Sequence, residues 1–185
     1  MVTHATHSGG STLKGAGIGL GIALIAGIGR KLAVQAPTAL AASWDEALKL
    51  EHKATLEMFD KLEQTEENEP RKRTFLLMKL KNALARHAFE EENTIYPAMR
   101  DAGMKAEADD LNREHGYVKQ YLYDLAGLVE DHLAFQSKLA SFRTDILSHM
   151  SDEEERLFPR LKGMLSERSS KELAAKMNRE GLKLA

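Results

Sequence analysis

The chain has no cysteine among its 185 residues. Disulfides, thiolate metal sites and cysteine nucleophiles are excluded, so any bound metal must be held by histidine and carboxylate. Only four prolines are present, and β-branched runs are few, which favours a mostly helical chain. An excess of one charge is missing too. Against 28 acidic residues stand 26 basic ones, for a net charge of −2, and this balance gives no ground for nucleic-acid binding. The length suits one domain with an appended tail, large enough to bury a core without staples.

Acid is absent altogether from residues 1–42, where Lys14, Arg30 and Lys31 are the charges and eight of the 13 glycines fall. Residues 1–12 are small and polar and read as a disordered start. Residues 15–29 are an unbroken apolar run. Arg30 and Lys31 stand where a secretory signal would place its cleavage site, which argues against a signal and for a cytoplasmic chain. The run covers about 22 Å as a helix, short of the roughly 30 Å hydrocarbon core. Two readings stay open: a flexible leader, or a helix from residue 15 whose Gly17–Gly21 stripe packs on another helix or touches a membrane. The second implies a homo-oligomer or membrane contact through residues 15–34.

From residue 43 the apolar period is helical. Ser43 and Glu46 have the spacing of a capping box, and Trp44, Ala47, Leu48, Leu56, Phe59 and Leu62 recur on one face. Pro70 suits the start of a second helix, and Pro97 is expected to kink or end it, with Gly103 closing the segment. A third helix is predicted over residues 105–126, with Gly127 near its end. A fourth is predicted over 131–165, with Pro159 near its end. Ser169 and Glu172 signal a last short helix that stops near Gly181. The organisation expected is a leader (1–42), an antiparallel four-helix bundle (43–165) and a short C-terminal helix (166–185).

Helices two and four share a motif. His87, Glu91, Glu92, Ile95, Tyr96 and Pro97 recur as His149, Glu153, Glu154, Leu157, Phe158 and Pro159. Glu51-His52 on helix one matches Glu114-His115 on helix three, and His52 to His87 is 35 residues against 34 from His115 to His149. The chain is thus two copies of one helical hairpin. Residues i and i+4 share a helix face, so each copy presents His-x-x-x-Glu inward together with one further His. Four imidazoles and two carboxylates suit iron, zinc or manganese. They are too many for one tetrahedral zinc and fit two ions bridged by carboxylates, with room for an oxo or hydroxo bridge. His132 has no counterpart in the repeat and reads as a surface residue. Glu90, Glu92, Glu154 and Glu155 read as a solvated face that at most supports the ligands.

These motifs, with the Ile-Tyr-Pro and Leu-Phe-Pro endings, resemble the hemerythrin-like family of His-His-Glu cation-binding domains over about residues 43–165. The resemblance implies a four-helix bundle with two non-haem iron ions that bind dioxygen. By position it implies His52, His87, Glu91, His115, His149 and Glu153 as ligands. Oxygen carriers of the family have a further His one turn after the one on helix three, and here that position is Lys119. This departure shifts the expectation from oxygen storage toward sensing or redox chemistry, with Lys119 either hydrogen-bonding a bound species or pointing outward. Ferritin-like sites are set aside, because no His here has Glu three positions before it.

Residues one turn from the ligands are Leu56, Phe59, Leu80, Leu84, Val118, Leu122, Phe142 and Ile146. They are ordinary core by type, and together they suit a small uncharged ligand such as dioxygen, nitric oxide or peroxide. No general base, nucleophile or phosphate loop serves a larger substrate. A binding or sensing protein, a di-iron oxidase or peroxidase-like detoxifying enzyme, and an iron-binding or interaction module are the functions this sequence allows.

Overall fold

Asp131 accepts a hydrogen bond at 3.0 Å from the amide of Ala134 and so caps a helix at the place its sequence suggests. Pro70 likewise sits in the first turn of its helix, where its missing N–H costs nothing. Gly103, with φ of 82°, closes another helix in the left-handed conformation that glycine adopts freely. The computed structural model describes residues 41 and 43–184. The leader expected over residues 1–42, with its helix from residue 15, otherwise lies outside the described residues.

Every element among the described residues is helical. The order is α1 (Trp44–Glu63), α2 (Pro70–Glu90), a π turn π1 (Glu91–Ile95), α3 (Tyr96–Asp101), α4 (Lys105–Gly127), α5 (His132–Asp152), a second π turn π2 (Glu153–Leu157), α6 (Phe158–Met164) and α7 (Glu167–Leu184). Side-chain contacts fix an antiparallel bundle. Glu51 on α1 meets His87 on α2, Glu92 on π1 meets His115 on α4, Glu114 on α4 meets His149 on α5, and Arg143 on α5 returns to Glu63 on α1.

Four sequence expectations are corrected. Pro97, expected to kink or end helix two, does not end it, and helix four runs on past Pro159 as expected but not as an unbroken α-helix. The rod continues through a π turn, in which the amides of Tyr96 and Phe158 bond back five residues to the carbonyls of Glu91 and Glu153. One extra residue per turn absorbs the bond that proline cannot make. The Ser43–Glu46 capping box does not form. Ser43 instead donates to Asp45 at 2.5 Å, and Asp45 is held by Lys162 of α6 at 2.7 Å. Ser169 is not a cap, because α7 starts earlier and Ser166 accepts the amide of Ser169 at 3.1 Å. Finally, α7 runs through Gly181 to Leu184 and is 18 residues long. It buries Leu173 and Met177 in the same core as Trp44, whose indole donates to Ser170.

The apolar interior comes in two clusters. One gathers Trp44, Leu48, Tyr96, Met99, Phe158 and Met177. The other gathers Phe59, Leu80, Leu84, Leu122, Phe142 and Ile146. Along every rod a set of buried polar residues (Glu51, His52 and Thr55; His87, Glu90, Glu91 and Thr94; His115; His149 and Glu153) falls between them. The charged layer is thus sealed at both ends by hydrocarbon.

Far from that layer, Arg73 is wholly buried. It donates to the carbonyls of Val129 and Glu66 at 2.9 and 2.7 Å, tying the α1–α2 and α4–α5 connections together. It also donates to His132, which is half-buried rather than on the surface as its sequence suggested. Replacing Arg73 by Met strands these carbonyls and is expected to cost about 2–4 kcal/mol of unfolding free energy. Metal content should not change, since His87 lies about 20 Å further along the rod. Urea unfolding beside elemental analysis checks both.

Candidate metal centre

Each of the four repeat histidines presents Nδ1 to a carboxylate. His87 Nδ1 lies 2.9 Å from Glu51 and His149 Nδ1 2.7 Å from Glu114. His52 Nδ1 lies 2.6 Å from Glu154 and His115 Nδ1 3.0 Å from Glu92. The first two contacts stay within a hairpin and the last two cross between hairpins. A carboxylate on Nδ1 fixes the ring and directs Nε2 elsewhere. All four Nε2 atoms turn inward. His52 and His87 approach to 3.0 Å. His87 reaches Glu91 at 3.2 Å and His115 reaches the same oxygen at 3.4 Å. His52 and His149 reach one oxygen of Glu153 at 3.5 and 3.3 Å.

The six predicted residues therefore come together, all buried. They form two groups of convergent donor atoms: His52, His87, Glu91 and Glu153 in one, Glu91, His115 and His149 in the other. The donor set fits metal ions on an observation independent of its motif. Glu91 Oε1, Glu153 Oε2 and His149 Nε2 are buried without a hydrogen-bond partner, a costly state in an apolar bundle that a cation relieves. Ligands about 2.1 Å from one ion lie about 3.0 Å apart at right angles and about 3.4 Å apart at the tetrahedral angle, and the donor spacings here run from 3.0 to 3.5 Å.

The electrostatics of the metal-free chain follow from the same contacts. Burial pushes the His52 imidazole down, but Glu153, Glu154 and Glu91 outweigh it and raise the group to about 10. Burial opposes charge on His115 as well, yet Glu91 and Glu92 lift it to about 9. Burial pushes the Glu153 carboxyl up, while His149, His52 and His87 bring it down to about 2. Protons thus hold the place of cations.

Residues 45–161, more than half of the chain, match the family model of the hemerythrin HHE cation-binding domain. This chain belongs to that family. A DNA nickase of Nostoc sp. (strain PCC 7120 / SAG 25.82 / UTEX 2576) is 22% identical to this hemerythrin-family chain over 129 residues. The match takes in 70% of the chain and 36% of that protein, so the chain spans about a third of the relative's length. No solved structure matches the chain.

Within this family member, several residues beyond the motif serve the site. Glu51 and Glu114 were legible as half of each Glu-His pair, but not as the groups that orient His87 and His149. Glu92 and Glu154, expected on a solvated face or at most in support of the ligands, take the supporting role and orient His115 and His52. Lys119 points outward, 68% exposed, and pairs with Glu92 at 3.5 Å. Tyr96 was missed. Its hydroxyl lies 2.9 Å from Glu153, 3.1 Å from Glu91 and 3.0 Å from His115 Nε2. Burial, then the charges of Glu153 and Glu91, push this phenol well above its ordinary range.

Two openings approach the histidines. A cavity of about 260 Å³ between α4 and α5 is lined by Val118, Tyr121, Phe142, Ile146 and His149. A cleft of about 540 Å³ between α2 and α4 is lined by Leu84, Phe89, Val118, Leu122 and His115. Both reach the group with fewer donors. Of the residues expected to be core, Phe59, Leu80, Leu84, Leu122, Phe142 and Ile146 are buried, while Leu56 and Val118 are half-buried against them, and some also line these routes.

Glu114 tests the orienting role by itself, because its side chain is 39% exposed and little packing is lost on change. Glu114→Gln is expected to weaken metal binding 10- to 100-fold, roughly, with helicity intact. Competition with a chelator of known affinity measures it.

Proposed function

We propose that this protein holds two iron ions between His52, His87, Glu91, His115, His149 and Glu153, in a four-helix hemerythrin-like bundle, and binds or senses dioxygen or a related small oxidant. One observation carries the reading: four imidazoles, each braced at Nδ1 by a carboxylate, turn Nε2 onto two buried glutamates. When bound, iron supplies electron transfer and open coordination positions for a small ligand. The chain supplies the rest. Glu51, Glu92, Glu114 and Glu154 hold the rings in register, and Glu91 and Glu153 offset the ionic charge. The two apolar clusters exclude water, and the α4–α5 cavity admits a molecule of diatomic size. Zinc or manganese suits the same donors as a substitute.

The test is iron quantification with an optical spectrum under nitrogen and then air. Wild type is expected to bind iron and gain visible absorption on air, and His87→Ala to do neither. A wild-type protein free of iron after loading, with no visible band, sinks the reading. An enzymatic alternative draws on the same cavity, and many turnovers of hydrogen peroxide or nitric oxide per chain would favour it.

The Nostoc relative's nickase description is not extended to this chain, given its 22% identity and partial coverage. Among the described residues no helix is long and apolar enough to cross a membrane. Residues 1–42 belong to the proposal as a segment for assembly or membrane docking of an otherwise cytoplasmic chain. Unchanged mass and unchanged membrane partition on deleting them would reduce the segment to a linker.

A further inference from the structure

The two halves of the repeat differ at one position of the buried layer. Tyr96 stands where the second copy has Phe158. Both rings are wholly buried, and both follow a ligand glutamate by five residues, across a π turn. Phe158 ends beside the His52 ring, with centroids 6.4 Å apart. Tyr96 instead brings an oxygen into the donor cluster.

The donors themselves are unequal. Around Glu91, one group has His52, His87 and Glu153, while the other has only His115 and His149. The Tyr96 oxygen sits beside this poorer group, 3.0 Å from His115 Nε2 and 3.1 Å from Glu91. These match the 3.2 Å from His87 Nε2 to Glu91 on the richer side, and they are the spacing of neighbouring ligands on one ion. A phenol also has a single proton to share, yet two carboxylates face it, Glu153 at 2.9 Å and Glu91 at 3.1 Å. A cation beside the oxygen satisfies both at once and takes the place of the proton on His115.

We propose that Tyr96 is a metal ligand: its oxygen completes the position formed by Glu91, His115 and His149, and makes the two ions of the site chemically unequal. The proposal rests on the metal-binding reading above. Ligation breaks the phenolic O–H bond, forms a metal–oxygen bond and releases one proton to solvent. No electron moves in that step.

The experiment is resonance Raman spectroscopy of the protein loaded with iron(II), oxidised in air, and prepared with natural or ring-deuterated tyrosine. Wild type is expected to show phenolate ring modes, excited within a visible phenolate-to-iron(III) band, that shift on deuteration. Tyr96→Phe is expected to keep its helical circular dichroism and lose these modes. A triple variant with Tyr117, Tyr121 and Tyr123 changed to Phe should retain them, which assigns the modes to Tyr96 even where Tyr96→Phe fails to fold or to load. An iron-bound wild type without tyrosine modes overturns this proposal and leaves the metal reading standing. So do modes that survive Tyr96→Phe or vanish in the triple variant. A wild type that takes up no metal overturns both.

Discussion

Replacing Glu91 by Gln is expected to empty the whole site rather than half of it. Glu91 is the carboxylate common to both donor groups, and one of its oxygens faces His87 and His115 at 3.2 and 3.4 Å. The amide keeps the volume but removes the charge, and half of its acceptor capacity becomes N–H donors that a cation repels. Changing a group that merely orients a ligand costs 10- to 100-fold in affinity, roughly. Losing a carboxylate common to two ions should exceed that on both. Metal content is therefore expected to fall from two ions to none, with circular dichroism unchanged. Retention of one ion per chain would show that Glu91 serves a single position. In the metal-free chain the same change removes a charge that supports protonation of His52 and His115, so both should titrate lower.

The second large effect is on pH. His52 and His115 have folded values near 10 and 9, above the ordinary histidine value of about 6.5. Groups raised on folding contribute stability that is full below the unfolded value and lost as pH climbs through the folded one. The metal-free protein is expected to weaken steadily between about pH 6.5 and pH 10. Glu153, lowered to about 2, acts in the opposite sense. Its contribution is present above about 4.5 and lost as pH falls toward 2. Urea midpoints of the metal-free chain should peak between about pH 4.5 and 6.5. Metal must displace the protons on His52 and His115, one in each donor group, so from these protons apparent affinity at neutral pH should rise about tenfold per pH unit for each ion and about 100-fold for the pair. A chelator titration that is flat between pH 6.5 and 8 would contradict the protonated resting state.

The six convergent residues were legible in the sequence because the repeat states them twice and an i,i+4 spacing fixes their common face. The helices were legible for a related reason, since their apolar period is long and their links are short. What stayed hidden has a local cause. In an unbroken α-helix Tyr96 would lie about 140° around the rod from Glu91. The π turn absorbs one residue and reduces that to about 40°, which carries the phenol into the site. Proline announced an irregularity at Pro97 and Pro159, but not that the rod would bulge rather than stop. The roles of Glu51, Glu92, Glu114 and Glu154 were hidden for another reason. They act across helices, and spacing along one helix says nothing of a partner on the next. Ser43 and Ser169 mislead in the opposite direction, because Lys162 and Ser166 offered Asp45 and the α7 amides better partners.

The crossing of Glu154 to His52 and of Glu92 to His115 means that neither hairpin owns a finished site. Each half arrives with one ring that only the other half can aim. Ions bound in this layer would therefore act as rivets between two halves of a clam, with part of their binding energy keeping the halves shut. Ligand at a hundred times its dissociation constant adds about 2.7 kcal/mol to such a joint. The same chain without metal is expected to be the looser object, with these crossed contacts left unreinforced.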